Sequence, residues 1–236
     1  DKDGEFTCPR IAIRMERYNI AEVRGIGPNQ NLEPNMEIVA KEKLKEFPDG
    51  EKYQKKVNDM ELLTLIHKKN QEGQNLTREE LMFLYEINYM IEGFGYSKDP
   101  RIDEIKSSRD MHRDCKCIFD GTITEFDGYL NLRDLKSAEG LILPKEIEGD
   151  LYLNSLTSTE GLVLPQVIDR VLDLNGLKSA KGLVLPQKFN RCLYLKSLTS
   201  AEGLVLLNEM YNLDFSSLKS AKGLILPNKI SGFLNL

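Results

Sequence analysis

One unit is written five times and begun a sixth between Gly128 and Leu236: L-x-L-x-x-L-x-S-x-x-G-L-x-L-P. Its serines fall at Ser137, Ser158, Ser179, Ser200 and Ser220, so successive copies are spaced by 21, 21, 21 and 20 residues. A copy this short has too few residues to bury its own leucines. Stacking copies buries them, and the expected product is a solenoid.

The columns of the repeat divide the work. Each copy opens with two apolar residues one apart: Leu130/Leu132, Leu151/Leu153, Leu172/Leu174, Leu193/Leu195, Leu213/Phe215 and Leu234/Leu236. Period-two alternation puts each pair on one face of a strand, and stacking makes the strands neighbours in a parallel sheet. A third leucine (Leu135, Leu156, Leu177, Leu198, Leu218) turns the chain inward again. Glycines at 140, 161, 182, 203 and 223 suit corners that need positive φ. A second apolar run follows each glycine and is closed by proline at 144, 165, 186 and 227, with Leu207 in the remaining copy. An apolar plug comes three residues later: Ile147, Ile168, Phe189, Met210 or Ile230. None of these segments has helix length, so each coil should be strand and loop. The stacked serines should lie about 4.8 Å apart and bond to one another and to the corner backbone. The column Glu139, Glu160, Lys181, Glu202, Lys222 predicts opposite-charge contacts between coils.

Three surfaces remain for function. The outward residues of the first strand are Asn131, Tyr152, Asp173, Tyr194, Asp214 and Asn235, a flat lattice of the kind repeat proteins use for binding; the plainer alternative is that they solvate the sheet. The outward residues of the second run are Ile142, Val163, Val184, Val205 and Ile225, an aliphatic stripe that either the N-terminal half or another chain should cover. The last coil presents an open parallel edge without a polar cap.

The repeat pattern resembles the leucine-rich-repeat class over roughly residues 128–236. Ile147-Glu-Gly149-Asp-Leu151-Tyr-Leu153 is similar to the I-x-G-x-L-x-L corner of receptor L-type domains, and Ile230-Ser-Gly232-Phe-Leu234-Asn-Leu236 repeats it. Leu135, Leu156 and their equivalents stand where ordinary leucine-rich repeats carry an asparagine ladder, and no convex-side helix is present. The resemblance therefore implies a flatter, β-helix-like coil. The first half, notably residues 9–14 and 89–96, is similar to uncharacterised bacterial segments upstream of such repeats, a similarity that names no activity.

Before about Asp120 the pattern is mixed. Ile11 to Met15 and Ile20 to Val23 read as a hairpin. Helices are expected near 34–47 and from Glu51 to about Lys69, where Tyr53, Val57, Met60, Leu63 and Ile66 recur at three- and four-residue steps. Thr77-Arg78-Glu79-Glu80 is a capping box, and the helix it opens is expected to reach Gly93. A shorter helix should run from Asp99-Pro100 through Ser108. Asn75-Leu76-Thr77 matches a glycosylation sequon, but a cap explains Thr77 better.

Composition narrows the chemistry. A net charge of -5 argues against an electrostatically driven nucleic-acid binder, and no apolar run approaches the roughly 20 residues needed to span a bilayer. The first residues show neither methionine nor a signal-peptide core, so they read as the edge of a longer gene product. The cysteines, Cys8, Cys115, Cys117 and Cys192, are too few and scattered for a disulfide scaffold and suit reduced thiols in the cytoplasm. His112, Cys115 and Cys117, with Cys8 as a further donor, form the one constellation of metal-ligand type, though its spacing matches no established zinc pattern. Asp1-Lys2-Asp3-Gly4 lacks the carboxylate of a calcium loop, because Arg10 occupies that place. No catalytic or cofactor-binding fingerprint is present.

The reading is thus an α+β chain: a helical domain with an N-terminal hairpin over 1–120, then a right-handed leucine-rich parallel β-solenoid of about five coils over 121–236. It is expected to be a non-enzymatic interaction or scaffold protein, without cofactor, nucleic acid or membrane, binding a protein partner or itself. Two alternatives are an enzyme or effector whose activity lies in the N-terminal or upstream region, with the repeats as recognition arm, and a structural self-assembling solenoid.

Overall fold

The structure, a computed structural model, describes residues 11–17, 19–25, 34–94, 98–189 and 191–236. The chain divides into two compact units, Asp1–Ser107 and Ser108–Leu236. The Asp1–Gly4 stretch and Cys8 lie outside the described residues.

The first unit opens with an antiparallel hairpin of β1 (Ile11–Glu16) and β2 (Asn19–Gly25), followed by α1 (Pro34–Leu44), α2 (Gly50–Gln71), α3 (Arg78–Leu84) and α4 (Pro100–Ser107). Ile20 of the hairpin packs with Leu44 and Tyr53, supported by Ile13, Val23, Phe47 and Val57. Two polar contacts pin the same seam: Ile20 N–H donates to Asp49 Oδ2 at 2.5 Å and Val23 N–H to the Tyr53 hydroxyl at 2.9 Å. Leu63, Ile66, Leu81, Leu84, Ile102 and Ile105 form the buried core where α2, α3 and α4 meet.

The capping box at α3 is present in full, with Glu80 N–H donating to Thr77 Oγ1 and Thr77 N–H to Glu80 Oε2. The helix, however, stops at Leu84, well short of Gly93. Glu86 takes a left-handed backbone with φ 55°, and Ile87 N–H returns to Met82 O, closing the last turn. A glutamate holds this costly conformation because its carboxylate is engaged on several sides, by Lys98, by Lys106 and by the N–H of Ile91.

The second unit opens with α5 (Met111–Ile118), which lies beyond the last helix expected from the sequence. Asp110 caps it, accepting from the N–H groups of His112 and Arg113. The coils follow. A parallel sheet runs in the order β11 (Leu234–Asn235), β9 (Asn212–Asp214), β7 (Cys192–Tyr194), β6 (Val171–Asp173), β4 (Glu146–Tyr152), β3 (Glu125–Asn131), with β5 (Val167–Ile168) also pairing β4. At a second corner β8 (Glu209–Met210) pairs in parallel with β10 (Lys229–Ile230). This is a parallel β-solenoid of about five turns.

Register is kept residue for residue. Leu130 pairs with Leu151, then Leu172, Leu193, Leu213 and Leu234 in turn. The leucine pairs of the first four coils are fully buried, as are Leu135, Leu156, Leu177 and Leu198. The plugs Ile147, Ile168, Phe189 and Met210 close the same interior from the far corner. The second apolar run is extended but forms no comparable ladder: among the described residues only Ile142 carries a bridge there, to Asp120. In four of the five coils a proline at the end of the run removes one N–H donor.

Two expected ladders take a different form. Each repeat serine accepts the N–H two residues on, from Glu139, Glu160, Lys181, Glu202 or Lys222, so the hydroxyl fixes its own corner. The backbones of Ser179, Ser200 and Ser220 do bridge between coils. In the charge column, no ion pair forms among the described residues. Contact between coils at this corner comes from threonine, Thr159 Oγ1 donating to Lys181 O and Thr199 Oγ1 to Lys178 O.

The corner glycines at 140, 161, 182, 203 and 223 all sit at φ between 67° and 81°, as the column required. Gly149 has another reason to be glycine: a methyl group there would fall 1.7 Å from Gly128 O on the adjacent coil. Gly149→Ala should therefore force the first two coils apart and lower stability by about 2–3 kcal/mol. Gly93→Ala, whose added methyl meets only Met60 at 3.8 Å, should stay within about 0.5 kcal/mol of wild type. Urea titrations followed by circular dichroism measure both.

Candidate binding faces of the solenoid

Leucines that point inward at Leu130, Leu151, Leu172, Leu193 and Leu213 send their neighbours outward, so the main sheet presents two adjoining columns. One is the expected lattice: Asn131, Tyr152, Asp173, Tyr194, Asp214 and Asn235 in direct register. The other stands two residues earlier on each strand: Tyr129, Asp150, Val171, Cys192, Asn212 and Phe233. The sequence reading missed this second column, although the same period-two rule predicts it.

The lattice is not uniform. Asp173 and Asp214 are buried and bonded within the sheet. Each accepts the backbone N–H two residues on, from Asn175 and Ser216, in the manner of an Asx turn that ends the strand. Asn131 does the same for Arg133. Across coils, Asn154 Nδ2 donates to Asp173 Oδ2 at 2.8 Å, Asn235 Nδ2 donates to Asp214 Oδ1 at 3.2 Å, and Lys196 Nζ stands 3.8 Å from Asp214 Oδ2. These carboxylates fasten coils together. The side chains left to meet a ligand are the aromatics and the cations beside them.

Tyr152 is fixed on three sides. Its hydroxyl donates to Asp150 Oδ2 at 3.2 Å, the edge of Tyr129 meets it at a centroid distance of 5.8 Å and 89°, and the Arg133 guanidinium lies 4.2 Å from its ring centre. Arg170 Nε stands 3.6 Å from Asp150 Oδ1, too far for a hydrogen bond, which leaves that buried oxygen without a donor. Tyr194 stacks on Phe233 at 6.4 Å and 18°, with Lys196 Nζ 6.0 Å from its ring. Burial first, and the Asp150 carboxylate second, raise the Tyr152 phenol above its ordinary value; burial and then Cys192 do the same for Tyr194. Both rings therefore stay neutral at physiological pH and keep a donor.

The second face is plainer. Ile142, Val163, Val184, Val205 and Ile225 are 55, 72, 79, 76 and 79% exposed, while Leu141, Leu183 and Leu204 beside them are buried. In the last coil, interior-type positions open as well, with Leu234 and Leu236 exposed.

The ligand-type constellation does not converge. Residues two apart on α5 face opposite ways, so Cys115 is fully buried and Cys117 exposed. His112 Nε2 lies 2.7 Å from Glu139 O, fastening α5 to the first corner. Among the described residues no group of three His, Cys, Asp or Glu side chains is placed to hold a metal ion. In the first unit a cavity of about 580 Å³ is lined by Arg14, Glu16, Arg17, Asp49, Lys52 and Lys56 among others. Asp49 Oδ2 there already accepts from Ile20, and the cations outnumber the carboxylates. No helix among the described residues is long and apolar enough to cross a membrane.

Comparison with known proteins finds no matching family model, no similar curated protein and no similar solved structure.

Burial, reinforced by Asp114 and Asp110, pushes the Cys115 thiol up to about 12. Below its ordinary value of 9.0 the thiol is protonated whether the chain is folded or not, so its contribution to stability is fully present there. That contribution is lost as pH rises from 9.0 towards about 12, because only the unfolded chain releases the proton readily. Cys115→Ala should flatten the fall in stability across this window, measured by chemical denaturation at stepped pH. At pH 8 a maleimide should label Cys117 rapidly in the native protein and Cys115 only after denaturation.

Proposed function

We propose that the chain is a non-enzymatic binding protein of leucine-rich-repeat type, and that the outer face of its main sheet takes up a protein partner. The observation that carries this reading is the pair of pre-set tyrosines, Tyr152 and Tyr194. Each is held by neighbours rather than free to rotate, so binding costs little side-chain entropy. Tyrosine and arginine are the residues in which protein interfaces concentrate their energy, and this face supplies Tyr129, Tyr152 and Arg133 side by side, with Tyr194 two strands away. The Asx turns and Asn–Asp bonds beneath them keep the platform rigid, as a binding site on repeats needs. The free thiols Cys115, Cys117 and Cys192 suit a reducing compartment, which favours a cytoplasmic partner.

The test compares two full-length chains as bait in lysate of the source cell: wild type and Tyr152→Ala/Tyr194→Ala. Loss of two partly buried rings from the sheet surface should leave the circular dichroism unchanged. At least one protein captured by the wild type should fall tenfold or more with the variant, since one interface hot spot is worth about 2 kcal/mol or more. An identical set of captured proteins would remove this face as the binding surface.

A further inference from the structure

The aliphatic stripe has features that choose its occupant. It is one side chain wide, repeats once per coil, and is flanked on the glycine side by residues with no side chain and on the other by the buried prolines Pro144, Pro165 and Pro186. Nothing flanking the stripe at those positions prevents a second flat surface from approaching closely. Its period is the coil spacing, about 4.8 Å. An irregular partner surface matches that period at one or two side chains. A second copy of the same stripe matches it at every coil, so the β-branched side chains of the two copies can meet coil by coil along the whole stack.

The flanking columns decide the orientation. Three residues before each stripe position stand Glu139, Glu160, Lys181, Glu202 and Lys222, and three residues after stand Lys145, Gln166, Gln187, Asn208 and Asn228, all exposed. We propose that a second copy of the chain covers the stripe about a two-fold axis parallel to the stack, so that like-numbered coils face each other. That operation sets the charged column of one copy against the other column of its mate. Glu139 then faces the mate's Lys145, Glu160 faces Gln166, Lys181 faces Gln187, Glu202 faces Asn208 and Lys222 faces Asn228. No like charges meet, and the first coil gains two symmetric ion pairs. The opposite orientation sets Glu139 against Lys222, but also Glu160 against Glu202 and Lys181 against its own copy. Like charges at three of the five coils disfavour that arrangement.

Four coil steps of about 4.8 Å and six residue steps of about 3.3 Å give a footprint of roughly 400 Å² per copy. A standard interface buries about 800 Å² per partner, so the dimer belongs with the weak, concentration-dependent associations.

Sedimentation velocity of the full chain from about 1 μM to about 1 mM should show a monomer–dimer equilibrium in the micromolar range or weaker. Val184→Lys, a change at a 79% exposed position, should leave folding unchanged and weaken dimerisation at least tenfold. Glu139→Lys should weaken it a few-fold by setting lysine against Lys145, and adding Lys145→Glu should restore it. A wild type that stays monomeric throughout, or a dimer indifferent to Val184→Lys, overturns the proposal. Failure of the double swap to restore association overturns the parallel orientation. A dimer lost in the Tyr152→Ala/Tyr194→Ala chain but kept in Val184→Lys assigns self-association to the sheet face instead, and likewise overturns it.

Discussion

Main-chain pairing between coils must stay in step with side-chain packing inside them, and the solenoid depends on this coincidence. The strand pairs hold Leu130, Leu151, Leu172, Leu193 and Leu213 one above another. A slip of one residue in any coil would turn its leucines to water and its polar residues into the core. Because no coil buries its leucines alone, each interface stabilises the next, and the stack behaves as a chain of nearest-neighbour couplings. The irregular spacing of 20 residues between Ser200 and Ser220 shows how the register is protected. The shorter step is absorbed between the second run and the sheet, so that Leu213 still pairs with Leu193 and Leu234.

Much of this was legible in the repeat. Leucine, glycine and plug columns each have one physical task, and the structure gives each that task. Legibility failed where one residue type can serve two ends. Aspartate at an outward strand position reads as surface chemistry, yet Asp173 and Asp214 turn back to cap their own strands, a choice made by Asn154, Asn235 and Lys196 on neighbouring coils. Serine columns read as hydroxyl ladders, but a backbone N–H two residues away is the nearer donor.

Local signals in the first unit show the same limit. The capping box at Thr77 was readable because both partners are three residues apart. The end of that helix was not, because Glu86 is held by Lys98 and Lys106, which are distant in sequence. Helix α5 escaped notice for a related reason. Its burial depends on closing the first coil, where Ile118 and Phe119 lie in the interior, His112 reaches the Glu139 carbonyl, and Asp120 pairs with Ile142. None of those contacts has a signature within eight residues of sequence.

The alternation of tyrosine with aspartate gives the sheet face a lattice vector of two coils rather than one. Tyr152 and Tyr194 stand two strands apart with Asp173 between them, a separation of about 9.6 Å. One turn of a polyproline II helix advances about 9.3 Å and returns the same face. An extended strand returns its face every two residues, about 6.6 Å, and falls out of step. The face is therefore a ruler: it is commensurate with one backbone conformation and incommensurate with another before any side chain of a visiting chain is considered.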